Sequence, residues 1–445
     1  MKIPGAVTGT GALRAAFDVT GFAVAAMAQA GQAVADLAQR YGAAPPEVSV
    51  DQDLASLWFG MSFTPAGWEL PPVWDSIAGD YRCADGWIRL HTNAPHHKAA
   101  ALNVLGLGPG ADRATVSAAV ELWQGEALEN AVVTANGCAA VMRSPTAWMA
   151  HPQGQAVASE PLIVWGEARQ GERGSARGNV RAADAQRPLA GVRVLDLTRI
   201  IAGPVATRFL ASYGAQVLRI DPPEWEEPVL EPELTVGKRC ARLDLKTPGG
   251  LAALHELLAG ADIIIHGYRG DALDKLGLSA DELARRYPHL IDVGLNAYGW
   301  SGPWVHRRGF DSLVQMSCGI ADAGMGHFGS QTPHPLPVQA LDHATGYLCA
   351  AAAINAWRDS LDGTVRSARL SLARTAVELM RTAPSDPDAP VPELDASVLI
   401  PEDTAWGPGL RLPPAIRISG VEPAFEVPAR GLGWAEPRWI DADEA

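Results

Sequence analysis

The stretch LDHATGYLCAAAAINAW, residues 341–357, holds the residue with the most direct claim on chemistry. An apolar strand end leads into Asp342, and His-Ala-Thr-Gly then opens a helix of small residues. An Asp at a helix start is ordinarily an N-cap, because its oxygen satisfies an orphan backbone N–H and its charge suits the positive helix end. The same carboxylate, aimed into a ligand site, is a nucleophile able to form a covalent acyl intermediate. Local sequence leaves both readings open, with the cap as the default.

Other candidate groups are weaker. The pair His96-His97 in NAPHHKAA has no further ligand at helical spacing, so a surface or capping role is expected and no metal site. The five cysteines, Cys83, Cys138, Cys240, Cys318 and Cys349, are scattered and form no CxxC pair, which fits a reduced, cytoplasmic chain. There is no G-x-G-x-x-G after the first strand of the αβ region, no G-x-x-x-x-G-K-[ST] and no G-x-S-x-G. Dinucleotide, P-loop and serine-hydrolase chemistry lose their usual signatures.

The elements that must position Asp342 begin at residue 188. LAGVRVLDLT, QVLRID, DIIIHGY and LIDVGLNAYG read as buried strands, and AGPVATRFLASYGA, TPGGLAALHELLAGA and SADELARRYP as helices between them. That alternation predicts βαβ units and a mostly parallel, Rossmann-like sheet. Ligands of such sheets lie at the carboxyl ends of the strands, where RIIAGP, HGYRGD and NAYGWSGP fall.

Upstream, 59–165 reads as a smaller α+β unit, with a hairpin in DYRCADGWIRLHT around Asp85-Gly86. Residues 166–187 are polar, rich in Gly and Arg, and read as a linker; 188–381 form the large domain; the Pro-rich acidic tail, 382–445, is expected to wrap it with short strands such as AIRIS. Residues 1–58 contain an echo: FDVTGFAVAAMAQAG at 17–31 parallels the Asp342 segment, Thr20-Gly21 matching Thr345-Gly346. We read it as a partial duplication in which Asp18 is a relic or an ordinary cap.

The 445 residues carry a net charge of −14, which argues against a nucleic-acid surface, and 47% hydrophobic content with mean hydropathy near zero fits a soluble globular protein. No apolar run is long enough for a membrane span, and Asp18 interrupts the one N-terminal stretch that looks like a signal core.

Taken in order, LAGVRVLDLTRIIAGP, YGAQVLRID, GKRCARLDLKTPGG, ADIIIHGYRGDALDKLGLS, YPHLIDVGLNAYGWSGP, GFDSLVQMSCGI and LDHATGYL resemble the family III CoA-transferases (the CaiB/BaiF group). That group includes formyl-CoA:oxalate and carnitine CoA-transferases and alpha-methylacyl-CoA racemase. The order of segments departs from the family, because the small unit and an echo of the catalytic helix precede the front of the large domain.

The resemblance implies that Asp342 is the nucleophile, that coenzyme A or acyl-CoA is a substrate alongside a small carboxylic acid, that no metal takes part and that the chain forms a homodimer. It implies CoA contacts at Arg199, Ile200, Ile201, Gly267, Tyr268, Lys275 and Arg308. The helix after Asp342 would supply backbone N–H groups to a developing oxyanion. Pro222-Pro223 stand where the family often has a CoA-contacting Arg, and Ile201 where transferases have a Gln, which suggests a greasier acyl group. The racemase branch places a His before the Asp of its G-x-D motif; here Gly309-Phe310-Asp311 has Phe, so racemisation is disfavoured and Asp311 is expected to be a cap or loop hydrogen-bonding residue. A non-catalytic acyl-CoA-binding subunit is the remaining alternative.

Overall fold

The computed structural model describes residues 1, 5–171, 183–268 and 272–441. Its centre is a seven-stranded sheet in the order Lys238–Arg242, Gln216–Asp221, Arg193–Leu197, Ile263–His266, Ile291–Asn296, Ala368–Ser371, Val164–Trp165. All neighbours pair in parallel except the two-residue edge strand Val164–Trp165, which runs antiparallel to Ala368–Ser371. The strand order reverses at Arg193–Leu197, so the crevice of this doubly wound sheet lies beyond the ends of that strand and of Ile263–His266.

Alternation along the strands explains the layers. Val194, Ile263, Ile265 and Val293 face one way, into a core shared with the helices Ala202–Ser212 and Ala340–Ser360. Leu195, Leu218 and Ile264 face the other way, onto the helices Pro248–Gly260 and Ala280–Arg286. Both faces being covered, the strands read as continuous apolar runs, which is why the sequence pattern was legible. The Thr-Gly of the Asp342 segment has a packing cause: a Cβ on Gly346 would lie 2.5 Å from the Ala202 carbonyl oxygen and 2.9 Å from Val205 Cβ. Only glycine lets the Ala340–Ser360 helix lie this close to Ala202–Ser212.

The hairpin of the smaller unit forms as expected, Gly79–Cys83 against Gly86–Leu90, with Ala139–Val141 as its third strand. Part of the expected linker, 172–182, lies outside the described residues; within the rest, Arg169–Gln170 pairs with Thr364–Val365. The tail divides its contacts. Ile416–Ile418 pairs antiparallel with Val48–Asp51, and Gly407–Arg411 pairs with Phe63–Pro65, so much of it covers the N-terminal half. Trp439 reaches the large domain, donating from its indole to the Leu257 carbonyl at 3.0 Å. Among the described residues no helix is long and apolar enough to cross a membrane.

Candidate active site

A cleft of about 640 Å³ opens at the carboxyl ends of the central strands. Asp342, Arg199, Ile200, Gly267, Tyr268, Lys275 and Arg308 line it. These are the expected site residues with one exception. Ile201 is absent from the lining and packs against the core instead, so the notion of a greasy acyl pocket built on it has no support in the geometry.

Asp342 is neither the cap of its helix nor preceded by a strand. The helix starts at Ala340 with Gln339 at the cap position, and residues 331–339 form no strand, so Asp342 occupies the first turn. Its side chain is buried, 6% exposed, and among the described residues no hydrogen-bond donor meets its carboxylate. Burial, and next the neighbouring Asp311 carboxylate, push its pKa well above the ordinary range. The same burial favours the neutral acid and leaves the ionised form poorly solvated, so that a carboxylate formed here would attack an electrophile in the cleft without first shedding water.

The helix start does not offer free N–H groups. Ala340 donates to the Val338 carbonyl at 2.8 Å and His343 to Gln339 at 3.1 Å. Leu341 and Asp342 donate to Asp311 Oδ2 at 2.8 and 2.9 Å. The expected oxyanion site at this helix terminus is therefore occupied, and of the two roles expected for Asp311, cap or loop hydrogen bond, the structure has it capping this turn. Burial raises the Asp311 pKa to about 6, against the lowering effect of its hydrogen bonds.

Across the cleft, the Arg199 guanidinium lies 4.5 Å from the Trp225 ring centre and 5.3 Å from that of Tyr268. Its Nε is 4.0 Å from Asp221. Glu227 organises this corner, accepting from Ile200 N–H at 2.7 Å, from the Trp225 indole at 2.8 Å and from Arg219 at 2.8 Å. Ile200 has φ of 68°, a left-handed conformation that a β-branched side chain adopts only when its surroundings impose it. The strained loop after the first strand is thus fixed by an acid carried on the loop after the second.

Sequence reasoning missed Trp225 and His96. Trp225 follows Pro222-Pro223 in a loop with no periodicity; its place just beyond a strand end was the available signal. His96 is exposed, as expected, and it also lines the cleft, its pKa lowered by partial burial and then by Arg308 and Arg199; its neighbour His97, expected at the surface with it, is buried. Arg308 and Arg307 clasp the smaller unit over the cleft, donating to the carbonyls of Asn136 and Ala139 at 3.0 Å each. His343, beside Asp342 in sequence, points elsewhere and stacks on Phe59 with ring centres 5.3 Å apart.

Residues 189–394 match the family described as CoA-transferase family III. Among curated proteins the chain is similar to acetyl-coenzyme A transferase nodX of Hypoxylon pulicicidum, 36% identical over 38% of this chain and 29% of that one. It is similar to the succinyl-CoA:glutarate CoA-transferase of Mus musculus, 33% identical over 31% of this chain and 34% of that one. A third relative is the probable fatty acyl-CoA transferase Rv3272 of Mycobacterium tuberculosis, 35% identical over 38% of this chain and 46% of that one. The chain thus spans less than half the length of these relatives. The crystal structure of Rv3272 in its orthorhombic form is 31% identical, covers 43% of this chain and 55% of that chain, and superposes with a TM-score of 0.40.

Proposed function

Because residues 189–394 belong to CoA-transferase family III, we propose that the chain moves CoA between carboxylic acids through an aspartyl-CoA thioester on Asp342. The observation that carries this reading is the Asp342 carboxylate itself: buried, lining the cleft, and with no hydrogen-bond donor to it among the described residues. A structural Asp at that depth would be hydrogen-bonded.

The reaction starts with attack of an Asp342 oxygen on the thioester carbonyl of an acyl-CoA. The C–S bond breaks, leaving a mixed anhydride and CoA thiolate. The thiolate attacks the Asp342 side-chain carbonyl carbon and releases the acyl carboxylate, which gives the aspartyl-CoA thioester. An acceptor carboxylate attacks that thioester and expels the thiolate, and the thiolate then takes the acceptor acyl group and restores Asp342. The mixed anhydrides are high-energy intermediates consumed by the returning thiolate, and the overall reaction exchanges one CoA thioester for another, so no external energy source is needed.

In this reading Arg199, Trp225 and Tyr268 hold the nucleotide end of CoA, with the stacked cation and ring faces suited to a purine, and Lys275 and Arg308 meet its phosphates. The test is to incubate the protein with a panel of acyl-CoAs, add hydroxylamine, and map modified peptides by mass spectrometry. A hydroxamate on Asp342, absent from Asp342→Asn, is the expected result. CoA binding without modification by any donor would sink the transferase reading and leave a non-catalytic acyl-CoA-binding protein.

A further inference from the structure

The segments 18–58 and 340–379 share more than sequence. Each is a long helix, Val19–Arg40 or Ala340–Ser360, followed by a connection of equal length, 41–47 or 361–367, the second of which also holds the two-residue strand Thr364–Val365. Each continues into a four-residue strand, Val48–Asp51 or Ala368–Ser371, and then directly into a short helix, Gln52–Trp58 or Leu372–Leu379. In both, the last strand residue caps the short helix with its side chain. Asp51 accepts from Leu54 N–H at 3.0 Å and Ser371 from Arg374 N–H at 3.2 Å. In both, the Thr of the Thr-Gly pair meets a hydroxyl on the short helix inside the core, Thr20 with Ser56 at 2.7 Å and Thr345 with Thr375 at 2.8 Å. Alanine-rich helices resemble one another by propensity alone, but propensity does not give both units a buried hydroxyl pair between the long helix and the short one.

The two units pack on each other along their long helices. Arg358 pairs with Asp36 at 3.0 Å and Arg40 with Asp362 at 2.8 Å, which ties the carboxyl ends of the helices together. Phe59, at the end of the first unit, stacks on His343 next to Asp342. The copies differ where the chemistry lies. Asp342 stands three residues before its Thr and inside the helix, whereas Asp18 stands two before and outside it. The first helix starts one residue before Thr20 and the second five before Thr345, so Asp18 is left as an N-cap whose Oδ1 accepts the Gly21 N–H at 2.7 Å, away from the cleft lining.

We infer that the N-terminal unit is a second copy that has lost its site and covers the Asp342 helix from within the same chain, so that one polypeptide supplies both halves of one complete site. The smaller unit that follows in the chain adds His96 and His97 to the cleft lining. A homodimer of such chains pairs two finished sites and shares none. This rests on the transferase reading only for what the site does, not for which chain builds it.

The test treats the purified full chain with a dihydrazide and a triazine coupling reagent, which activates carboxylates so that the dihydrazide joins two of them, then separates the products under denaturing conditions and maps the linked peptides. Asp36 and Asp362 lie at one end of the helix pair, each bound to an arginine of the other unit. Their link is expected in the band of single-chain mass, 46.9 kDa. The link confined to a band of doubled mass would overturn the inference, because the two units would then come from different chains. Sedimentation at nanomolar concentration decides independently. A species of single-chain mass that binds one CoA supports the inference, and CoA binding lost on dissociation of a dimer overturns it. An intrachain link with no CoA binding in any species counts against the transferase reading and leaves the assembly standing.

Discussion

Asp311 Oδ2 accepts the backbone N–H of Asp342 at 2.9 Å, so one carboxylate anchors the helix turn that carries another. Asp311 is itself held from behind. Gln315, one turn along the same helix, donates to Oδ1 at 2.5 Å and accepts the Leu336 N–H at 2.7 Å. The contact does two things at once. It fixes where Asp342 sits, and it places a like charge beside it that opposes ionisation.

The two effects separate by substitution. Asp311→Asn keeps an oxygen acceptor but removes the charge, so Asp342 ionises at lower pH. The rate of Asp342 modification needs the carboxylate and rises with pH through its pKa; in Asp311→Asn that rise is expected about one unit or more further to the acid side. Asp311→Ala leaves two buried N–H groups without an acceptor and costs about 1–3 kcal/mol of stability. A rate loss in Asp311→Asn with an unmoved pH profile would assign Asp311 to position alone.

The sequence made the sheet readable because its strands are buried on both faces, and it left Asp311 as a structural residue, a cap or a loop hydrogen-bonding group. It did not show that Asp311 caps the helix of Asp342, since the two are joined by a contact that no local pattern records. Gln339 starting the helix was invisible for the same reason, and with it the occupation of the helix N-terminus. Trp225 and His96 enter the cleft only through tertiary packing, the first by the Glu227 hub and the second by the docking of the smaller unit. Ile201 was singled out by correspondence with a family position, and its side chain turned into the core.

Asp342→Asn is expected to stabilise the protein while abolishing modification. Both carboxylates have raised pKa values in the folded chain, so the native state favours their protonated forms. For such acids the stability penalty is absent at low pH and grows as pH rises from the unfolded value near 4 through the folded value, about 6 for Asp311. Removing one charge relieves that penalty where both would be ionised. Thermal unfolding should show a Tm gain of roughly 1–3 °C at pH 8 that shrinks toward pH 5. A gain independent of pH would mean the pair does not repel in the folded state.

Trp225→Ala is expected to weaken CoA binding about tenfold by removing one face of the Arg199 stack, a loss of roughly 1.4 kcal/mol. Arg199→Lys should lose a similar amount, because an ammonium does not present the planar guanidinium to the two rings. Calorimetric titration with CoA measures both. Modification of Asp342 at saturating acyl-CoA should stay within a few-fold of the parent rate, since neither residue touches the carboxylate; a large loss at saturation would place this corner in the chemistry.

Gly-Phe-Asp at 309–311 carries a prediction about the α-carbon of the substrate. Phe310 stacks on His91 with ring centres 3.9 Å apart, and neither ring is arranged as an acid–base partner for Asp342. Burial lowers the pKa of His91 and of His97 to about 3; His91 stands outside the cleft lining, and His97 Nε2 meets the Cys138 thiol at 3.6 Å. His343 is buried against Phe59 and is held neutral in the same way. Racemisation needs a base on one face of the α-carbon and an acid on the other. A 2-methylacyl-CoA incubated in deuterium oxide should therefore keep its α-proton while Asp342 exchanges CoA, which proton NMR reads directly. Deuterium appearing at the α-carbon at a rate comparable to CoA transfer would show that one of these histidines does reach the substrate, and would move the chain to the racemase branch.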